Sequence, residues 1–303
     1  MKQLFLILFI YTGFFLHAQD GPITAHLGQD DHLGLDQIRT AFKAKNEGYD
    51  LAYFRNLSTL YGTDQHQVIF VQGGETDIRL SNGLSSRTSI GDIILLKPHE
   101  QFQADSLLNV LVFQVPEAPP AELPFIIRPD WDENITDTPG GCATETGAYR
   151  RILLTWKEEV GPYRFHSINA HRVRIMDSFS HYHPVVGGFD EFYLVQMVMP
   201  GARLLTSTQV PVIEKPKKVS KETASSLLHA QKLSVGDLVY LPRGTMHRGL
   251  GGVLAQVITV PGFVPMSEIG LDHHLFKINK KLKLTGEEAL PYHEAGAKKA
   301  IIK

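Results

Sequence analysis

Short apolar runs separated by turn residues are the feature that most constrains the fold of this chain. Between residues 51 and 115, four-residue runs at 68–71 and 93–96 are bounded by glycine, asparagine and serine. A second series of such runs occupies residues 150–265. Runs of four to eight residues at this spacing are typical of sandwiches and barrels built from short strands. The sequence therefore predicts an all-β chain with two barrel-sized blocks.

The first twenty residues differ in composition from the rest of the chain. Lys2 precedes a mostly apolar run of thirteen residues, Leu4 to Leu16, which ends at small and polar residues. This order is that of a secretory signal peptide, and the run is too short for a bilayer span, which takes about 20 residues. We expect residues 1–19 to be a cleaved signal peptide and the mature protein to be periplasmic or extracellular.

Helical spacing of apolar residues is confined to the two ends of the mature chain. Residues 33–44 have this spacing and stop before Gly48, and residues 271–303 return to it, with Asp272 as a candidate N-cap. Residues 116–149, between the two β-rich blocks, are rich in proline, glycine, aspartate and threonine. This composition is typical of a linker.

The charge balance and the single cysteine exclude several classes of function. Thirty basic and 32 acidic residues give a formal charge of -2, so no broad positive field attracts nucleic acid or anionic lipid. Cys142 is the only cysteine, which excludes a cysteine-rich zinc site and an iron–sulfur cluster. Any metal must be held by histidine, aspartate or glutamate.

Two motifs carry the candidate chemistry. The first is His181-Tyr182-His183, and because residues i and i+2 share one face of a strand, both imidazoles can point at one centre. The second spans residues 236–247 and places Gly, Pro, Gly and His in series, ending at His247. Its glycines and proline make the turns that begin and end a strand, so that His247 emerges on the next one.

Together the two motifs resemble those of the cupin superfamily, and the resemblance covers residues 150–265. It implies a double-stranded β-helix, or jelly-roll, barrel. It also implies a metal site, and the family's motifs place its ligands at His181, His183, Glu191 and His247.

The spacing of the carboxylate ligand departs from the family pattern. Seven residues separate His183 from Glu191, where members of the family usually have three or four. The additional residues fit a loop, and they leave Asp190 as an alternative ligand. Strand parity favours Glu191, because Glu191, Tyr193 and Val195 share one face. Tyr193 is the candidate catalytic residue, and a core tyrosine is the alternative interpretation.

The same template fits residues 51–115, which makes the chain similar to a bicupin with an empty first site. Gln67 stands at the position of the glutamate and Phe102 at that of the last histidine, while Leu60 and Gly62 lie roughly at the histidine pair. The predicted organisation is a signal peptide (1–19), an N-terminal barrel without metal ligands (20–115), a linker (116–149), a C-terminal metal-binding barrel (150–270) and a helical tail (271–303).

Three imidazoles and one carboxylate suit a divalent transition ion. Fe(II) and Mn(II) are the favoured ions, and Zn(II), Ni(II) and Cu(II) are alternatives. Two chemistries are open: a dioxygenase of a small oxygen-rich molecule, and a non-redox isomerase or lyase of a sugar or sugar acid. A binding protein without turnover is the third alternative. An inward Arg172 or Arg174 would favour a carboxylate substrate, whereas a structural salt bridge is the other interpretation.

These observations define the expected partners. We expect a small-molecule substrate, no nucleic acid, and no membrane after removal of the signal peptide. Pairing of barrels through edge strands would allow a homodimer.

Overall fold

The computed structural model describes residues 21–29, 31–140 and 149–303. Strands are the main regular structure among these residues and form two barrel-like sheets, so the prediction of an all-β fold is confirmed. The predicted signal peptide at 1–19 lies outside the described residues. Among the helices of the described part, none is long and apolar enough to cross a membrane.

The first sheet has seven strands, arranged around one 15-residue strand, β7, which pairs with β2, β3 and β4. The strands of this sheet are β2 (Asp50–Tyr61), β3 (His66–Gly73), β4 (Thr76–Leu80), β5 (Ser85–Thr88), β6 (Ile93–Leu96), β7 (Gln101–Val115) and β8 (Ile126–Ile127).

The second sheet has ten strands and is arranged in the same way around β16, also of 15 residues, which pairs with β10, β11, β12 and β13. Its strands are β1 (Ile23–His26), β9 (Arg150–Leu154), β10 (Asn169–Asp177), β11 (His181–Tyr182), β12 (Asp190–Val198), β13 (Arg203–Ser207), β14 (His229–Lys232), β15 (Asp237–Leu241), β16 (Met246–Val260) and β17 (Ile269–Gly270).

Two segments pair with strands that are distant in sequence. Strand β1 precedes the first sheet in the chain, yet it pairs with β15 of the second sheet, Ile23 lying opposite Tyr240. Residues 301–303 also return to the second sheet, where Ile302 bridges to Ile269. The second barrel is therefore assembled from residues near both ends of the chain.

The two sheets pack against each other through one shared apolar core. Helix α1 (His32–Lys45) lies in this core, because its buried residue Phe42 contacts Phe113 of the first sheet and Phe192 of the second, at ring-centroid distances of 5.8 and 5.2 Å. Each barrel also has a separate interior cluster of buried apolar side chains. The alternation of each strand therefore divides its side chains between a barrel interior and the shared core.

Three further helices accompany the second sheet: α2 (Val210–Ile213), α3 (Lys221–Ala224) and α4 (Asp272–Leu282). The expectation that Asp272 caps α4 is wrong, because Leu271 occupies the N-cap and Asp272 is the first helical residue. The Asp272 carboxylate instead accepts hydrogen bonds from the backbone N–H groups of Ser180 and His293, each at 2.9 Å. It thereby ties α4 to the residue that precedes His181.

Candidate metal centre

His181 and His247 are brought together by direct strand pairing. The Cα of His181 in β11 lies opposite that of His247 in β16, and their ring centroids are 4.2 Å apart. Strand β11 also pairs with β17 on its other edge, where His181 lies opposite Gly270. Both imidazoles are fully buried.

His183 follows β11 and points at the same centre. Its ring centroid is 5.4 Å from that of His181 and 5.1 Å from that of His247. Its carbonyl oxygen accepts a 2.7 Å hydrogen bond from the Gly244 N–H group, which connects the two sequence motifs. One nitrogen from each of the three rings lies within 4.8 Å of the other two, so this buried trio could hold a metal ion.

Glu191 supplies a carboxylate to the same cluster. It lies in β12 between Leu241 of β15 and Thr259 of β16, and it is buried. Its Oε1 is 3.1 Å from His247 Nε2, and its Oε2 is 3.8 Å from His183 Nε2. Glu191 therefore lies beside the three histidines, close to two of them.

The alternative ligand Asp190 points the other way, into the core shared by the two sheets. Its Oδ2 accepts hydrogen bonds from Asn46 Nδ2 at 2.6 Å and from the Tyr240 hydroxyl at 2.8 Å. Its Oδ1 accepts two from Arg243, through the backbone N–H and through Nε, both at 2.9 Å. The carboxylate is thus occupied by a structural network on the opposite face of the strand from Glu191.

The hydrogen bonds of the imidazoles leave one nitrogen of each ring available. His181 Nδ1 lies 3.0 Å from the Phe179 carbonyl oxygen, and His247 Nδ1 lies 3.3 Å from that of Thr245. A carbonyl oxygen only accepts, so it selects the tautomer with the proton on Nδ1 and leaves a lone pair on Nε2. The Nε2 atoms of all three histidines are buried without a hydrogen-bond partner in the described part of the chain. This donor set fits a divalent transition ion.

The environment of the rings affects their protonation unequally. Burial, followed by the proximity of His247, holds the pKa values of His181 and His183 well below the ordinary value. Burial also acts to lower the pKa of His247, but the neighbouring Glu191 carboxylate outweighs it, and the net shift is upward. His181 and His183 are therefore neutral at pH 7, as metal ligands must be.

Tyr193, the candidate catalytic residue, is fully buried in the interior of the second barrel. Its ring lies edge-on to that of His247, with 6.2 Å between centroids. Its neighbours in the interior cluster are apolar side chains such as Val239 and Val257, which lie opposite it on the adjoining strands. A role of Tyr193 in the reaction stays a prediction.

A cavity of 410 Å³ reaches Glu191 from the side of β9 and β10. Among its lining residues are two cations, Arg150 and Lys303, and a second glutamate, Glu268. Burial, and then the charge of Glu191, raise the pKa of Glu268 to about 7. The volume is within the range of small-molecule sites, about 300–1,000 Å³.

Apart from Glu191, the residues of this cavity named above were not identified by the sequence motifs. Neither arginine of β10 lines the cavity: Arg172 donates to Gln196 and Asp130 at 2.7 and 2.5 Å, and Arg174 is exposed. Arg150 reaches the cavity from β9, in register with Val173. Glu268 and Lys303 exchange two backbone hydrogen bonds, at 3.0 and 3.1 Å. Only strand pairing, which no local pattern reveals, brings these residues to the site.

The comparisons with known proteins concern the fold alone. No protein-family model and no curated protein sequence matches the chain. Procruciferin, the 11S globulin of Brassica napus, matches in structure at 10% sequence identity over 85% of this chain and 88% of its own, with a TM-score of 0.51.

Two further solved structures are similar at lower TM-scores. The formate complex of Lactobacillus farciminis oxalate decarboxylase matches at 14% identity, over 83% of this chain and 89% of its own, with a TM-score of 0.46. Hazelnut (Corylus avellana) vicilin matches at 12% identity, over 71% of this chain and 77% of its own, with a TM-score of 0.47.

The two barrel-like sheets and their shared core define a two-barrel, all-β protein with a histidine-rich centre in one barrel. This is the fold that the resemblance to a bicupin implied, and procruciferin is similar to the chain in it. The resemblance stated from the sequence motifs is thereby confirmed at the level of the fold.

Proposed function

We propose that the chain is an exported, metal-dependent enzyme, a dioxygenase that acts on a small oxygen-rich organic molecule. The observation that carries the proposal is the group of three buried imidazoles that could hold a metal ion, beside Glu191, which lines the cavity. Fe(II) and Mn(II) are the ions we favour, because they combine affinity for this donor set with redox chemistry.

The ligand residues would hold the ion, and the surrounding rings would fix their orientation. Phe179 stacks on the His181 ring at 4.3 Å between centroids, and Phe189 packs against His183 at 3.9 Å. A bound ion would supply Lewis acidity and, if redox-active, electron transfer. The adjoining cavity is the space in which a substrate would be oriented.

The first test is metal content followed by oxygen uptake. The full chain, purified without chelators, should contain iron or manganese at about one ion per chain. It should then consume oxygen with at least one substrate among catechols, flavonols and diketones. Iron- or manganese-loaded protein that consumes no oxygen with any of them would contradict the dioxygenase proposal.

One observation favours a second candidate, a non-redox isomerase or lyase. Glu268 is buried, lines the same cavity as Glu191, and has a pKa raised to about 7. A carboxyl group that titrates near neutrality is suited to take up and return a proton. Glu268 would then be the proton carrier, acting on a substrate held beside Glu191.

The second candidate makes a specific prediction for Glu268→Gln. A lyase or isomerase should turn over without oxygen, exchange a substrate carbon-bound proton with heavy water, and lose this exchange in Glu268→Gln. The matched control is Glu159→Gln, at the exposed rim of the same cavity. Exchange that survives in Glu268→Gln would exclude this role for Glu268.

A further inference from the structure

We propose that the cavity beside the metal centre binds a carboxylic acid with a flat apolar body, and that Arg150 and Lys303 hold its carboxylate. The inference deepens the proposed function, since it names the substrate class of the same site. Arg150, Lys303 and Glu191 all line this one cavity of 410 Å³.

The Arg150 side chain is placed by its strand and by a hydrogen bond to the backbone of Thr138. Arg150 lies in β9 two residues before Ile152, so the two side chains share a strand face, and both line the cavity. Its Nη1 donates to the Thr138 carbonyl oxygen at 3.2 Å. Planar guanidinium groups bind carboxylates with two parallel hydrogen bonds, which is the geometry that an acid ligand would use.

The Lys303 ammonium group approaches the metal centre from another direction. Its Nζ lies 4.9 Å from the centroid of the Phe179 ring, and that ring stacks on His181. The backbone hydrogen bonds between Lys303 and Glu268 fix this approach. Two cations from separate segments thus contribute to the lining of one small cavity, and an anion between them would be stabilised by both charges.

The acidic residues of the cavity do not cancel this preference. Glu191 belongs to the metal cluster, where a divalent ion would outweigh its charge. Glu268, even when ionised, carries one negative charge against the two positive charges of Arg150 and Lys303. Glu159 is exposed to solvent at the rim, where water and salt screen its charge.

Unpartnered polar atoms on the cavity lining independently indicate a ligand. Trp156 Nε1, His171 Nε2 and the hydroxyl groups of Thr155 and Thr259 are buried without a hydrogen-bond partner in the described ranges. The two threonines are 1% and 4% exposed. Buried polar groups are normally paired, so a ligand with oxygen atoms would satisfy groups that the protein leaves unsatisfied.

A row of aromatic rings defines the shape of the remainder of the ligand. Trp156 stacks on Phe263 at 4.2 Å between centroids and an interplanar angle of 26°. Phe263 contacts Phe189 at 5.2 Å, and Phe189 contacts His183. The row leads from the cavity wall to a metal ligand, and offset stacking on such a wall favours a flat, apolar ligand body.

Tryptophan fluorescence tests the proposal directly. The chain has two tryptophans, and Trp131 is 68% exposed, so Trp131→Phe leaves Trp156 in the cavity as the only reporter. In this background, benzoate should change the emission saturably. The neutral isostere benzamide should bind at least about tenfold more weakly, because it lacks the charge that Arg150 and Lys303 recognise.

Charge-removing variants identify the groups that bind the carboxylate. Arg150→Gln and Lys303→Gln, each folded by near-ultraviolet circular dichroism, should each weaken benzoate binding about tenfold and leave benzamide binding unchanged. The matched control is Arg174→Gln, on the exposed face of the neighbouring strand β10. Because the two cations come from different segments, misfolding of one variant leaves the other as a test.

Binding measurements on protein that retains no metal separate this inference from the proposed function. Benzoate binding that depends on Arg150 or Lys303 in a chain unable to retain metal would support the inference and contradict the metalloenzyme. Equal binding of benzoate and benzamide, no saturable change with benzoate, or benzoate binding unaffected by either substitution would overturn the inference, whatever the metal content.

Discussion

The two barrels share one strand register but differ in what that register places inside them. In the second barrel, Glu191 lies opposite Leu241, and in the first, Gln67 lies opposite Leu96, at the corresponding point of the corresponding strand pair. The same correspondence relates His247, opposite His181, to Phe102, opposite Leu60. The backbone therefore offers both barrels the same positions, and the side chains alone make one interior polar.

In the first barrel, a side chain at the position equivalent to His183 is also excluded on steric grounds. Gly62 stands where His183 stands in the second barrel, and a Cβ atom built on it would lie 2.8 Å from the carbonyl oxygens of both Lys97 and Glu100. The interior is filled instead by a cluster of buried apolar residues that includes Phe102. The first barrel therefore has a packed apolar core where the second barrel has its candidate metal centre.

The largest expected effect on the difference between the barrels comes from removing His247, the histidine on β16. His247→Ala should lower metal affinity by more than about 100-fold, since loss of a ligand exceeds the effect of losing the groups that orient one. Metal per chain, measured by elemental analysis after dialysis, checks this. His66→Ala in the first barrel should retain full metal content, and full loading of His247→Ala would show that His247 is not a ligand.

The next prediction concerns the packed interior of the first barrel. Phe102→Ala should destabilise the protein by about 3–5 kcal/mol, because it opens a cavity in a fully buried core. Urea unfolding measures the loss, and Phe102→Leu, which retains most of the volume, serves as the control. Metal content should be the same in both variants; a decrease confined to Phe102→Ala would mean that the first barrel supports the metal centre.

The buried carboxyl group of the second barrel should also make stability depend on pH. Burial and Glu191 raise the Glu268 pKa from 4.5 to about 7, so the folded state binds the proton more tightly than the unfolded state. The resulting stabilisation is complete below pH 4.5 and is lost as the pH rises to about 7, an effect of about 3 kcal/mol.

Denaturant unfolding of metal-free protein at a series of pH values checks this prediction. Glu268→Gln should remove that part of the decline in stability, whereas Glu159→Gln at the exposed rim should follow the wild type. A Glu268→Gln profile parallel to that of the wild type would contradict the assignment.

The smallest expected effect separates the two adjacent carboxylates of β12. Asp190→Asn should cost about 2 kcal/mol of stability, because it weakens charge-assisted hydrogen bonds to Arg243, and it should retain metal. Glu191→Gln should lose metal affinity and remain folded. Elemental analysis and urea unfolding of the two variants give the result, and loss of metal in Asp190→Asn alone would reverse the assignment.

The sequence was informative wherever a local pattern determines a local geometry. The His-x-His element and the glycine–proline–glycine–histidine series identified His181, His183 and His247 because tight turns and strand alternation act over a few residues. Alternation also put Glu191 and Asp190 on opposite faces, and the structure has them there. The same template placed Gln67 and Phe102 at the equivalent positions of the first barrel.

The remainder of the site depends on pairings between distant segments. Arg150, Glu268 and Lys303 reach the cavity because β9, β17 and residues 301–303 join the second sheet, and each pairing crosses a long stretch of chain. No periodicity within these segments records the pairing. Asp272 matched the pattern of a helix cap for the same local reason, but tertiary hydrogen bonds to Ser180 and His293 took its carboxylate.

The pairing of β1 with β15 has a consequence for the order in which the protein assembles. Ile23 must find Tyr240 after more than two hundred intervening residues have been synthesised, and closing so long a loop is slow. During synthesis β1 would wait, with its edge unprotected, until β15 has been made. The second barrel is therefore the half of the protein that stays incomplete until β15 has been made.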